Sequence, residues 1–470
     1  MTTQPISTAQ QVDVLILGGG PSGMAAGIAL LKRNDIKVLM LERGDYTEYK
    51  FGESLSTNAR ATLEYLDVWK QFEASQSMQK FCSQVAWGSE DLRQLGYMFN
   101  PNGKGWVLDR SRFEKMLARA FVERGGQLQL QTQVTTCTRQ PAGGWCVEVK
   151  SALGQTHTVF CKYIIDASGR RGVMRTNLNL ALTVHDRLIG VGCIGVLAQG
   201  DAHSFESQVE ACEYGWWHVT PMSDGRVSVV LMSDPDIANQ MQVCRAEVWR
   251  ALLDQMPVLG QQMKEVFFTE TPRSTPCYSS YLQEAGGLDW VAVGDAVASF
   301  DPIASTGIPT ALSNGIHAAF IAVDSMFSKG QLLKTYAQSI EQDFKQYLQT
   351  QWQYYQRETR WPEAKFWARR RAVVGIAKTA TIVSTHYYEQ KLVKAPVHLK
   401  LHEMQDLWLC CELGKSLKEV LERFALRYRY IPEQKAILGV QELIETGFLE
   451  ISTEEEEDCV FFNTERLIFD

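Results

Sequence analysis

No stretch of about 18 uncharged apolar residues occurs in this chain, so the sequence predicts no membrane-spanning helix. A basic excess is also missing. Lys and Arg number 47 against 54 Asp and Glu, a formal net charge of −7, which favours solubility and counts against a nucleic-acid partner. Met1 to Gln11 holds neither a basic region nor an apolar stretch before a small-residue cleavage site, and a cytoplasmic location is expected. The 11 cysteines form no repeated CxxC. Cys410 and Cys411 are neighbours, where a disulfide would be strained, so the thiols are expected to be small buried hydrophobes. The histidines show no ligand spacing such as H-E-x-x-H, and no metal is expected. A Ser/His/Asp pattern for nucleophilic catalysis is absent too.

What is present describes a globular protein. Apolar residues make up 45% and charged residues 21% of 470. That length corresponds to two to four domains on a prior of roughly 100–200 residues each. Val12–Leu17 is a short apolar run ending in glycines, and a helical pattern follows from Met24 to Leu31. Lys37–Leu41 then forms a second apolar run ending in Glu42 and Arg43. This is strand, turn, helix, strand. Further helices are expected over 59–73 and 112–124, and one long helical stretch from Gly315 to about Thr379. Strands are expected near 128–131, 145–149, 158–160, 163–166, 225–232 and 290–293. From about Ala395, three short helices at 404–411, 417–428 and 433–446 and a strand at 449–451 suggest a small winged-helix-like module. The acidic run Glu454–Asp458 reads as a solvated loop.

Gly18-Gly19-Gly20-Pro21-Ser22-Gly23 has the spacing G-x-G-x-x-G between that first strand and helix. Gly18 allows the tight turn, Gly20 lets backbone approach a pyrophosphate, and Gly23 lets the helix pack on the sheet. The helix N-terminus then attracts the phosphate. Glu42, 19 residues after Gly23, stands where a carboxylate accepts ribose hydroxyls. No second G-x-G-x-x-G is recognised in the chain.

Other segments resemble those of FAD monooxygenases of the p-hydroxybenzoate-hydroxylase type and the related flavin-dependent halogenases. They are Gly52-Glu53-Ser54, Leu108-Asp109-Arg110, Asp166-Ala167-Ser168-Gly169, Gly294-Asp295-Ala296, and Asp301-Pro302 with Gly307. The resemblance implies an α/β fold: a glutathione-reductase-like Rossmann-type FAD domain with a β-sheet substrate domain. It assigns 10–85, 105–180 and 285–345 to the FAD domain and 86–104 with 181–284 to the substrate domain. A helical segment covers 346–394 and the C-terminal module 395–470. The implied cofactor contacts are Gly18, Gly20, Pro21, Ser22, Gly23, Glu42, Arg43, Glu53, Ser54, Arg110, Val134, Asp166, Gly169, Asp295, Pro302, Gly307 and Ile308. Asp295 would accept from a ribitol hydroxyl. The helix from Gly307 would direct its dipole at the flavin's N1–C2 carbonyl edge.

Gly215-Trp216-Trp217-His218-Val219-Thr220-Pro221 is similar to the halogenase G-W-x-W-x-I-P, with His218 and Thr220 departing from it. Asp301 to Gly307 is similar to D-P-L-E-S-T-G, with Ala304 replacing the glutamate. Lys80 lies near the position of the halogenase lysine. Trp87-Gly88, Phe99-Asn100-Pro101, Asp109-Arg110-Ser111-Arg112-Phe113, Arg360-Trp361-Pro362 and Phe366-Trp367 are more similar to the flavoproteins that mature tryptophylquinone enzymes. Those serving lysine ε-oxidase and quinohemoprotein amine dehydrogenase are examples. That resemblance implies a monooxygenase using a C4a-hydroperoxyflavin to hydroxylate an aromatic residue, above all tryptophan, of a partner protein or peptide. O₂ is the co-substrate. Electrons come from NAD(P)H or from a partner flavin reductase. Trp216, Trp217, His218 and Lys80 are the candidate catalytic residues, and residues 395–470 the candidate docking module. A flavin-dependent halogenase and a precursor-binding flavoprotein chaperone remain the alternatives.

Overall fold

Val14, Leu15 and Ile16 are wholly buried, as are Leu39 and Met40. Such runs, apolar on both faces, belong to parallel strands covered by helices on each side. In the computed structural model they do. The structure describes residues 9–451 except 76, 97–103, 199–205, 329, 372–380, 385–398, 412–414 and 446–448. Strand Ala9–Leu17 lies between Thr156–Asp166 and Val38–Leu41, parallel to both. Gln127–Gln129 and Trp290–Ala292 extend the parallel array. Thr132–Arg139 and Trp145–Ser151 add an antiparallel wing. Against this sheet packs the helix Pro21–Leu30 with the 21-residue helix Gly307–Phe327 close behind it. A Cβ on Gly315 would meet the Ser22 carbonyl oxygen at 2.2 Å, so the two helices cross at backbone contact.

A second large sheet is mainly antiparallel, with Ser207–Cys212 and Cys82–Ala86 its parallel pair. Its core order is Ile189–Leu197, Arg226–Ser233, Gly215–Pro221, Ser207–Cys212, then Cys82–Ala86 and Arg93–Gly96. The chain leaves a small sheet of Ser54–Leu55, Gly105–Val107 and Met78–Lys80 and enters this one at Cys82, a few residues before the boundary expected at 85.

The expected helix over 59–73 is two helices, Ala59–Tyr65 and Trp69–Ala74, because Asp67 takes φ 54° between them. The single stretch expected from Gly315 is three helices. Gly330, at φ 64°, separates Gly307–Phe327 from Leu332–Gln356, and Pro362 lies in the break before Lys365–Arg371. Contacts divide the chain at Arg370/Arg371, not at 394/395. The expected helical segment 346–394 is therefore no unit of its own. Its strand Thr381–Ser384 pairs with Lys415–Ser416 and Leu449–Ile451 in the second unit. That unit packs helices Leu401–Cys410, Leu417–Arg427 and Glu433–Glu445 around Leu407, Val420 and Val440. No disulfide joins any of the ten described cysteines, and Cys411 is buried. The motif Phe99–Pro101 and the acidic run 454–458 lie outside the described residues. Among the described residues no helix is long and apolar enough to cross a membrane.

Candidate active site

Gly18 takes φ 108°, and a Cβ there would sit 2.3 Å from the Ala167 carbonyl oxygen. Only glycine makes this turn. A Cβ on Gly23 would meet the Gly18 oxygen at 2.0 Å, whereas one on Gly20 meets nothing within 4 Å. The loop is thus closed behind and open in front, at the start of a helix with Pro21 in its first turn. Ser22 is buried beneath it. Glu42 accepts from the Gly19 N–H at 2.6 Å and the Gly44 N–H at 2.7 Å, and Arg43 beside it is exposed. Tyr46, which the sequence reading passed over, pins the loop by donating to the Gly19 oxygen at 3.0 Å.

Other expected contacts are held by protein partners. Arg110 donates to the Phe51 oxygen at 3.2 Å and to Glu114 at 2.5 Å, while its buried Nε has no partner. Glu53 accepts from Tyr49 and from the Gly52 N–H. Asp166 spends its carboxylate on the Ser168 and Met174 N–H groups, at 3.0 and 2.7 Å. It fixes the turn before Gly169, which has open space in front of it. Val134 sits in the antiparallel wing, opposite Val149. Asp295 is bound at 2.6 Å by Arg170, another residue missed in the sequence, whose own Nε is buried without a partner. Pro302 opens a one-turn helix, and Ile308 packs into the core at the head of Gly307–Phe327. That long helix has no side-chain cap, and Gly307 has nothing within 4 Å of its Cβ direction. A diphosphate suits the open Gly20 loop, and an electron-rich ring edge suits the uncapped Gly307 end. The two unpartnered guanidinium nitrogens add donors. These residues fit FAD.

The G-x-G-x-x-G spacing recurs at Gly190, Gly192 and Gly195, which the sequence reading also missed. This copy runs inside the strand Ile189–Leu197, with no turn and no helix start. A Cβ on Gly192 would meet the Val229 oxygen at 2.5 Å, so these glycines serve strand packing.

In the antiparallel sheet, alternation separates the candidate tryptophans. Trp217 points into a core with Trp249, ring centroids 5.3 Å apart, and is not a neighbour of Trp216. Trp216 joins the opposite cluster with Trp87, Tyr355, Phe366 and Trp367. Its indole donates to the Tyr355 hydroxyl at 3.1 Å. The end of the helix Leu332–Gln356 and the segment after it seal this face: Trp87 donates to the Tyr354 oxygen at 2.8 Å and Trp367 to the Cys212 oxygen at 2.8 Å. Arg369 and Arg370 hold it through Asp234.

His218 shares its side of the strand with Trp216. Burial, with Lys80 second, brings its imidazole down to about 3, so the ring is neutral. Its Nε2 lies 3.4 Å from both Ser207 and Thr220 hydroxyls. Lys80 is buried and donates to Ser54 at 3.1 Å, and desolvation lowers its ammonium to about 8. The small sheet thus brings Lys80 against the Gly52-Glu53-Ser54 motif, while Trp217 drops out of the site.

The FAD binding domain family model matches residues 11–351. The chain is 32% identical to a putative FAD-dependent oxidoreductase, LodB, of Marinomonas mediterranea, over 77% of its own length and 98% of that protein. It is 29% identical to the flavin-dependent halogenase armH3 of Armillaria mellea, over 67% of each. Among solved structures, the flavin-dependent halogenase CmlS superposes with a TM-score of 0.69 at 17% identity, covering 97% of this chain and 99% of that one. The chain belongs to the FAD-binding-domain family of flavin-dependent oxidoreductases.

Proposed function

We propose that this flavoprotein is a monooxygenase that puts oxygen on an aromatic side chain, tryptophan above others, of a partner polypeptide. The observation that carries the reading is the face around Trp216: aromatic rings, a neutral His218 and hydroxyls. An indole is apolar except for one N–H donor, and its carbons are electron-rich. It needs a dry surface and an acceptor more than it needs a nucleophile. FAD, when bound and reduced, supplies the activation of O₂. The protein's part is to hold the ring in reach and to exclude water. Trp87, half-buried against the sealed rings of Trp216 and Trp367, supplies the apolar surface, and the neutral imidazole of His218 offers a nitrogen lone pair. Electrons come from NAD(P)H docked transiently or from a separate reductase. The C-terminal unit is the part we assign to docking the polypeptide. The near-complete coverage of LodB supports this placement among maturation flavoproteins.

Halogenation is the second reading. A buried amine at Lys80 and the armH3 likeness favour it. The test is the intact mass of polypeptides encoded beside this gene, incubated with the FAD-loaded protein, a reductant and air, with and without bromide. One or two added oxygens, independent of bromide, are expected. A bromide-dependent gain establishes halogenation instead, and unchanged polypeptides refute the partner-protein substrate.

A further inference from the structure

Asp301 lies in the turn that sets where the Gly307 helix begins. Its Oδ1 accepts from the Ile303 N–H at 2.9 Å, and Ser305 follows at φ 50°. Its Oδ2 points the other way, accepting from the Tyr355 hydroxyl at 2.7 Å and from Gln351 at 3.1 Å. Its own N–H donates to the Tyr347 hydroxyl at 2.6 Å. Tyr355 in turn accepts from the Trp216 indole. A continuous chain of hydrogen bonds therefore runs from the helix start to the aromatic face.

Charged and titratable groups surround it. Asp186 reaches the same Gln351 at 3.4 Å, setting two carboxylates around one amide. Arg370 lies over the Tyr355 ring, 5.2 Å from its centroid, though it bonds to Asp234. Arg170 bonds to Asp295, and the Cys277 thiol is buried nearby with Arg170, Asp301 and Asp186 in electrostatic reach. Tyr347 and Tyr355 are both held protonated, first by burial and then by Asp301.

We propose that Asp301 and Tyr355 are positioning residues that tie the turn before Gly307 to Trp216, so that a change at either end is felt at the other. The inference rests on the FAD-dependent reading for what the ends touch. An ionised Asp301 takes two side-chain donors at Oδ2. A protonated Asp301 donates there instead, and Tyr355 must turn its own O–H elsewhere. Burial, reinforced by Asp186, raises this carboxyl to about 6. The rearrangement thus falls in an accessible pH range.

The test uses FAD-loaded full-length protein, reading the visible absorption of bound flavin and tryptophan emission from pH 5 to 9. Wild type is expected to show one proton-linked change in both signals, with a midpoint near 6. Trp216→Phe removes the emission change and keeps the flavin one. Asp301→Asn abolishes both. Tyr355→Phe keeps the ring packing but loses the donor that favours the ionised carboxyl, so its flavin midpoint moves up by about half a unit or more. A flat wild-type profile overturns the proposal, as does an unchanged transition in Asp301→Asn or an unmoved midpoint in Tyr355→Phe. Failure to bind flavin refutes the family reading itself. Absence of polypeptide oxidation with these transitions intact refutes only the substrate.

Discussion

The nucleotide half and the antiparallel half of this protein build their sites by different means. Around Gly18, Gly20 and Gly307 the work is done by backbone: a turn only glycine can make, open space before free N–H groups, and a helix end without a cap. Around Trp216 it is done by side chains from separate strands, from the end of the helix Leu332–Gln356 and from the segment after it. A backbone site tolerates little change in sequence but demands particular residues at fixed spacing. A side-chain site needs partners far apart in the chain and leaves no local pattern.

The largest effect is expected on the backbone side. Gly20→Glu adds a side chain where nothing obstructs it, so the fold should persist while a carboxylate occupies the diphosphate's place. Like charges about 4 Å apart cost about 4 kcal/mol at an effective dielectric near 20, close to a thousandfold in affinity. Purified protein should be colourless and fold normally by circular dichroism. Stoichiometric FAD in this variant would break the distinction between the halves.

On the side-chain side, the two faces of Gly215–Pro221 should separate cleanly. Trp217→Ala empties a fully buried core position and should cost about 3–5 kcal/mol of stability. Trp216→Phe keeps a ring and loses one hydrogen bond, costing about 1 kcal/mol. Denaturant titration measures both, and a loss at Trp216→Phe as large as that at Trp217→Ala would show that the Trp216 ring does more than make one hydrogen bond.

How much was legible follows the same division. Gly18, Gly23 and Pro21 could be placed from sequence because each answers a local backbone demand. Helix boundaries failed where a tertiary choice intervened, as at Asp67, whose left-handed conformation no apolar period announces. Arg170, Tyr355 and Asp186 went unseen because their partners lie more than a hundred, or more than fifty, residues away. Trp217 was grouped with Trp216 by adjacency, although the two-residue period of a strand sends neighbours to opposite faces. The glycines at 190–195 show the converse, a motif spacing without its setting.

Asp301 offers a pH-dependent contrast. Its folded carboxyl lies near 6, against about 3.9 for a free aspartate, so the folded state binds the proton more tightly. That contribution to stability is full below the unfolded value and is lost as pH rises through about 6. The difference corresponds to about 3 kcal/mol at most. Asp301→Asn should therefore gain on wild type at pH 8 and lose that advantage near pH 4. Melting temperatures at the two values check this, and a pH-independent difference contradicts it. The smallest effect is expected at Lys80→Met. Removing the ammonium takes away the lesser cause of the His218 depression, so its ring should titrate higher, yet still below 6.5 because burial remains. Imidazole NMR shifts follow this directly, and an unmoved ring would separate Lys80 from the site.

The most direct test of oxygen transfer is isotopic. The FAD-loaded protein, a reductant and the partner polypeptide are incubated under ¹⁸O₂, and the peptides are sequenced by mass spectrometry. The account predicts heavy oxygen on a tryptophan of that polypeptide. Oxygen from water at that position, or label in no aromatic residue, would contradict it.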